Sequence, residues 1–166
     1  MVRCRTTAPL PFRSATRRSQ EQSIIRHQVS GLKRSGIVSQ FAPPPSKVLI
    51  VLVVEDEALV RHLMAICLTD AGWHVLEAET AEEAIALSKS GAAVDVVITD
   101  INLNGPATGW DVAESFRTVW PHLPVVYASG AAVEPDRCVP GSLFFTKPYR
   151  PDDIVQACRQ LTARAG

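Results

Sequence analysis

No apolar run in this 166-residue chain comes near the roughly 20 residues that a membrane-spanning helix needs. The longest, Val48 to Val54, has the length of a buried strand, so a soluble, cytoplasmic protein without a membrane partner is expected. Cysteine is also sparse. Cys4, Cys67, Cys138 and Cys158 are scattered without a C-x-x-C pair or Cys/His ligand spacing, which argues against zinc and against structural disulfides. Cys67 and Cys158 fall within amphipathic patterns, where a free thiol acts as a small core hydrophobe. His62, His74 and His122 have no acid or metal-ligand spacing around them and are read as ordinary surface or core residues. Net charge is absent as well, with 17 Lys/Arg against 17 Asp/Glu. The balance hides two unlike pieces: residues 1–46 carry about +7 and residues 47–166 about −7.

The basic piece lacks sustained periodicity and ends in Phe41-Ala42-Pro43-Pro44-Pro45-Ser46. It reads as a disordered basic arm, residues 1–46, closed by a stiff proline linker. Its acid-poor, Arg- and Ser-rich make-up also fits an organellar transit peptide, and a start codon assigned too far upstream is another account. A nucleic-acid arm is the weakest reading, because aromatic interleaving and a folded reader are missing.

From residue 47 the pattern alternates between strand and helix. Val48–Val54 is an unbroken apolar strand that stops at Glu55-Asp56-Glu57. Ala58–Ala71 carries Leu59, Leu63, Ile66 and Cys67 at helical spacing and is closed by Gly72. A strand Trp73–Glu77 follows, then a helix to about Ser90 that starts at a Thr80/Glu83 capping box and ends at Gly91. Val94–Thr99 is a third strand, Trp110–Trp120 a helix, and Pro124–Ala128 a fourth strand. Residues 131–141 are irregular, since Pro135 and Pro140 limit any helix there to a turn or two. Leu143–Thr146 is the fifth strand, and Pro151, Asp152 and Asp153 suit the first turn of a last helix with Ile154, Ala157, Cys158 and Leu161 on its apolar face. This order predicts an α/β, flavodoxin-like, doubly wound five-stranded parallel sheet, strand order 2-1-3-4-5, with the fourth helix short or absent.

Parallel strands place their carboxyl ends along one edge, where open α/β sheets bind ligands. Glu55 and Asp56, Asp100, Ser129 and Lys147 stand just past, or at, four such ends. Converging carboxylates repel unless a cation compensates, and Mg2+ takes oxygen ligands of this kind. Asp100 can then act as a nucleophile that forms an aspartyl phosphate, while the metal, Lys147 and the Ser129 hydroxyl share the charge on the phosphoryl oxygens. The plainer reading, helix-capping acids and a solvated lysine, would serve for any one residue but does not account for five together.

These motifs identify the family. Val53-Val54-Glu55-Asp56-Glu57, Val97-Ile98-Thr99-Asp100, Tyr127-Ala128-Ser129-Gly130 and Phe145-Thr146-Lys147-Pro148-Tyr149 resemble the receiver (response regulatory) domain of two-component response regulators, over residues 47–164. The resemblance implies that Asp100 is the phospho-acceptor, that Asp56 ligates Mg2+ directly and Glu55 mainly through metal-bound water, and that Asn102 ligates through its backbone carbonyl. It implies that Ser129 and Lys147 hold the phosphoryl oxygens and that Ser129 and Phe144 form the switch pair, although Phe144 has no hydroxyl. Tyr149 packs near the site in such a protein. The donor would be a sensor histidine kinase or a phosphotransfer protein, the output a downstream protein, and the only reaction self-phosphorylation with slow autodephosphorylation. The basic arm is too polar to be a DNA-binding or enzymatic output module, so a stand-alone receiver is expected.

Three rivals stand beside it. A degenerate receiver serving as a scaffold would not need Asp56, Asp100 and Lys147 intact. A magnesium-dependent phosphohydrolase of the haloacid-dehalogenase type would place Asp-x-Asp after the first strand, where this chain has Glu-Asp-Glu. A flavodoxin-like nucleotide or flavin binder would have a phosphate-cradling Ser/Thr/Gly loop there, but that position is acidic.

Overall fold

Val51 to Val54, Val96 to Thr99 and Val125 to Ser129 are all buried, as strands covered on both faces must be. They form the centre of the sheet in the computed structural model, which describes residues 47–130 and 134–163 with their side chains and the backbone of Val2–Arg3 and of residues 164–165. The expectations for the basic arm and proline linker between residues 4 and 46 lie outside the described residues.

In chain order the elements are β1 (Val2–Arg3), β2 (Ile50–Val54), α1 (Ala58–Asp70), β3 (His74–Ala78), α2 (Ala81–Ser90), β4 (Val96–Thr99), α3 (Gly109–Val119), β5 (Val125–Ser129), β6 (Leu143–Thr146) and α4 (Pro151–Ala165). The sheet runs β1-β6-β5-β4-β2-β3. Its five parallel strands alone have the predicted order 2-1-3-4-5. Val2–Arg3, expected within the disordered arm, instead pairs antiparallel with β6 and covers its outer edge. An apolar cluster lies on each side of the sheet. Among the described residues no helix is long and apolar enough to cross a membrane.

The caps follow the sequence. Thr80 accepts the Glu83 N–H at 3.2 Å, although the returning Glu83 carboxylate takes the N–H of Glu79 rather than that of Thr80. Gly91 ends α2 in the left-handed conformation, φ 76°. At α3 the Asp111 carboxylate accepts both the N–H and the hydroxyl of Thr108, each at 2.7 Å. Those bonds from Thr108 hold its carboxyl below the usual aspartate range.

The apolar face assigned to α1 needs correction. Leu59, Leu63 and Ile66 are 75%, 52% and 46% exposed, while Met64, Ala65 and Leu68 are the residues buried against the sheet. Two apolar stripes overlap on this helix, and the sheet takes the one offset by about one residue. The cysteine expectation also changes: Cys67 and Cys158 are free, but Cys138 is disulfide-bonded. His62, His74 and His122 are exposed.

Between β5 and β6 the described residues hold turns and no helix. Polar contacts take the place of a helix's apolar face. The Tyr127 hydroxyl accepts the Val139 N–H at 3.4 Å, Ser142 donates its hydroxyl to the Val139 carbonyl at 2.7 Å, and Arg117 donates to the carbonyls of Pro121 and Pro140 at 2.6 and 2.9 Å. Trp110 packs on Tyr127 with ring centroids 4.5 Å apart, and the Arg137 guanidinium lies 5.8 Å from the Trp110 ring centre. Burial pushes the Tyr127 hydroxyl up to about 12. Tyr127→Phe should leave the Val139 N–H unpaired and lower stability by about 1 kcal/mol in denaturant unfolding; an unchanged midpoint would show that this bond contributes nothing.

Candidate functional site

The strand register builds the site. Val54 pairs with Thr99, so the chain leaves β2 and β4 side by side and delivers Glu55 and Asp100 to the same edge. The Asp100 N–H donates to the Val54 carbonyl at 2.9 Å and the Glu55 N–H to Ala78 at 3.2 Å, extending the sheet bonding by one residue. On the other side Ser129 pairs with Thr146, and the Lys147 N–H donates to the Ser129 carbonyl at 3.0 Å. Lys147 is thereby aimed back across the sheet.

Its ammonium closes the site. Lys147 Nζ lies 2.6 Å from Asp100 Oδ2 and 2.7 and 3.0 Å from the two Glu55 oxygens. The other Asp100 oxygen, Oδ1, accepts the N–H groups of Ile101 at 2.5 Å and Asn102 at 3.1 Å. Both oxygens of this carboxylate are thus oriented, one by backbone and one by a cation. Glu55 and Asp100 are buried, and Asp56 is half-buried and opens the cluster toward solvent.

The electrostatics follow from three carboxylates around one ammonium. Burial pushes the Glu55 carboxyl up; its bond to Lys147 works against this, and the charges of Asp100 and Asp56 add to the upward shift. Burial would lower Lys147, but its bonds to Asp100 and Glu55 together outweigh that and hold the ammonium well above its ordinary value. Lys147 therefore stays charged and leaves net negative charge behind. One oxygen from each of Glu55, Asp56 and Asp100 lies within 4.8 Å of the others. This hard-oxygen donor set fits a divalent cation such as Mg2+, and the main chain of Asn102 meets it through the N–H that Asp100 Oδ1 accepts.

The predicted residues are distributed as follows. Glu55, Asp56, Asp100 and Lys147 converge. Ser129 is the buried last residue of β5 at the same edge, and Asn102 is exposed in the loop beyond Asp100. Phe144 is buried in the apolar cluster that holds Trp110, Tyr127 and Val139. Tyr149 packs beside the opposite cluster and lines the cavity beneath Glu55 and Asp100, where burial pushes its hydroxyl up to about 12.

Two residues at the site were not singled out by the sequence. Gly109 opens α3, and its N–H donates to the Ile101 carbonyl at 3.0 Å. A Cβ there would stand 1.9 Å from the Asp100 carbonyl oxygen. Arg61 of α1 donates to the Glu55 carbonyl at 2.6 Å. The sequence signal for Gly109 is its position just after the N-cap Thr108, where the loop returns to the strand end.

Comparison with known proteins agrees with this geometry. Residues 51–159 match the response regulator receiver domain family. The transcriptional regulatory protein for alkaline phosphatase synthesis, SphR, of Synechococcus elongatus is 30% identical over 142 residues, 78% of this chain and 53% of that protein. The chain spans about half the length of the curated relatives it matches. Among solved structures, a response regulator receiver protein from Sinorhizobium medicae is 35% identical, with a TM-score of 0.70 over 72% of this chain and 98% of that one. The receiver domain of the hybrid histidine kinase CckA is 28% identical, with a TM-score of 0.59 over 68% and 98%. With its parallel sheet, its acidic cluster and its lysine at the ends of the strands, the chain belongs to the receiver domain family of two-component response regulators.

Proposed function

We propose that this chain accepts a phosphoryl group on Asp100 from the phosphohistidine of a sensor kinase or phosphotransfer protein, with Mg2+ held by Glu55, Asp56, Asp100 and the Asn102 carbonyl. The observation that carries the proposal is the Lys147 ammonium bridging Asp100 and Glu55 at 2.6 and 2.7 Å beside Asp56. In the transfer the phosphorus–nitrogen bond breaks, its electron pair stays on the histidine nitrogen, and an Asp100 oxygen bonds to phosphorus. Bound Mg2+ supplies positive charge to the phosphoryl oxygens. Lys147 contributes a second positive charge and Ser129 a hydroxyl donor, while the N–H groups of Ile101 and Asn102 keep the acceptor carboxylate oriented.

Receiver domains interact with histidine kinases or phosphotransfer proteins, and α1 offers a place for one. Leu59, Leu63 and Ile66 form an exposed apolar stripe. Leu63 also lines an apolar cleft of about 280 Å3 with Lys147, Pro148 and Tyr149, next to the acceptor. Leu63→Glu should slow transfer from a phosphohistidine protein about tenfold, the loss of about 1.4 kcal/mol of apolar contact, while labelling by acetyl phosphate is unchanged. A rate of transfer from the phosphohistidine protein that equals the wild type's would remove Leu63 from the docking surface.

The proposed output is a change in protein contacts, in a cytoplasmic setting. The route runs from Ser129 along β5 to Tyr127, and from there to Val139 and to Phe144, its partner in the strand register. The functional test is intact mass after incubation with acetyl phosphate, with Mg2+ and with excess chelator. A single phosphoryl adduct that needs Mg2+ supports the proposal; no adduct under either condition favours a scaffold that works without phosphorylation.

A further inference from the structure

Arg61 is a charged residue that touches the acidic pair and that the proposed chemistry leaves unused. It sits on α1 with its side chain largely buried. Nη1 donates to the Glu55 main-chain carbonyl at 2.6 Å, Nη2 lies 3.3 Å from Glu79 Oε2, and Nε lies 3.7 Å from Glu77 Oε2. Glu55 donates its own N–H to the Ala78 carbonyl at 3.2 Å. The residue that begins the acidic turn is therefore gripped on both sides of its backbone, by β3 through its N–H and by Arg61 through its carbonyl.

From this geometry we infer that Arg61 is a positioning residue for the cation site: it holds the Glu55–Asp56 turn so that their carboxylates face Asp100 before the metal arrives. Three carboxylates with oxygens within 4.8 Å repel one another, and a turn free to relax would splay them. A guanidinium suits the task because its planar fork can meet a carbonyl and two carboxylates at fixed angles. Glu77 and Glu79 have a second part. They offset the charge of Arg61, so that the fork does not oppose the incoming cation. The idea rests on the proposed Mg2+ site and adds the residue that shapes it.

The sign of the effect separates positioning from simple electrostatics. Removing a positive charge near a cation site should tighten cation binding; removing a positioning group should weaken it, about tenfold for the outer partners of metal ligands. Titration calorimetry of the full chain with Mg2+ reads this directly. Arg61→Met should weaken Mg2+ binding about tenfold, and Arg61→Lys, which cannot span all three partners, should fall between it and the wild type. In labelling by acetyl phosphate, the Mg2+ concentration for half-maximal rate should rise by the same factor, with much less change in the rate at saturating Mg2+. If Arg61→Met does not melt cooperatively, Arg61→Lys replaces it: it keeps the positive charge and loses the fork, so a weaker Mg2+ affinity in that variant reads positioning alone. Unchanged or tighter Mg2+ binding in a folded variant would overturn the inference, as would equal slowing at every Mg2+ concentration. A wild-type chain that binds no Mg2+ would instead overturn the proposed function on which it rests.

Discussion

Asp100→Asn is expected to abolish the phosphoryl adduct. The amide has nearly the same shape, and its oxygen can still accept the N–H groups of Ile101 and Asn102 that now bind Oδ1. The loop beyond β4 therefore keeps its anchors. What disappears is the anionic oxygen that bonds to phosphorus. The substitution also removes one of the carboxylates crowding Glu55, whose charge contributes to the upward shift of the Glu55 carboxyl. The amide nitrogen, however, then faces Lys147 in place of Oδ2, so the relieved repulsion and the lost ion pair oppose each other, and thermal melting of the variant should stay within about 5 °C of the wild type. The paired measurement, intact mass and melting, distinguishes lost chemistry from lost fold. A phosphoryl adduct persisting on the variant would sink the assignment of Asp100.

Gly109→Ala is the second large effect, and its cause is space rather than backbone conformation. A single added carbon would sit 1.9 Å from the Asp100 carbonyl oxygen, 2.8 Å from its carbonyl carbon and 2.8 Å from the Thr99 hydroxyl. Two of those three atoms are backbone at the end of a buried central strand. Neither the strand nor the first turn of α3 can yield cheaply, because Asp100 is bonded to Val54 and Gly109 to Ile101. The expected cost is about 3 kcal/mol, read as a melting temperature lower by about 10 °C. Labelling by acetyl phosphate should slow as well, because whatever moves carries the Asp100 backbone with it. A variant that melts and labels like the wild type would mean that the α3 entry is looser than this packing implies.

Much of the site was legible because its signals are local. A continuous Val/Ile run that stops on a carboxylate marks a buried parallel strand and its carboxyl end at once. The right-handed alternation of strand and helix then brings those ends together. Glu55, Asp56, Asp100 and Lys147 could be placed at one edge without knowing a single distance. The apolar face of α1 was not legible in the same way. Leu59, Leu63 and Ile66 form one stripe, Val60, Met64 and Leu68 another, and helical spacing accepts both. The sheet decides between them, by burying Met64 and Leu68 of the second and leaving the first exposed.

Gly109 and Arg61 were missed for a related reason. Each matters through what approaches it from elsewhere in the chain: the Asp100 carbonyl in one case, the Glu55 carbonyl in the other. The bonded state of Cys138 likewise depends on chain proximity that cysteine spacing does not carry. The segment before β6 lies between these extremes. Pro135 and Pro140 forbid a long helix and can be read directly, whereas the contacts from Tyr127, Arg117 and Ser142 that replace the helix required the fold.

By itself, then, the sequence determined the strand ends and the chemistry standing on them, because hydrophobic runs, prolines and caps act within a few residues of where they occur. The tertiary structure alone decided which face of α1 remains exposed, how close α3 comes to Asp100, and which cation grips the Glu55 turn. Those depend on distances between elements far apart in the chain, set by the register and packing of the whole sheet.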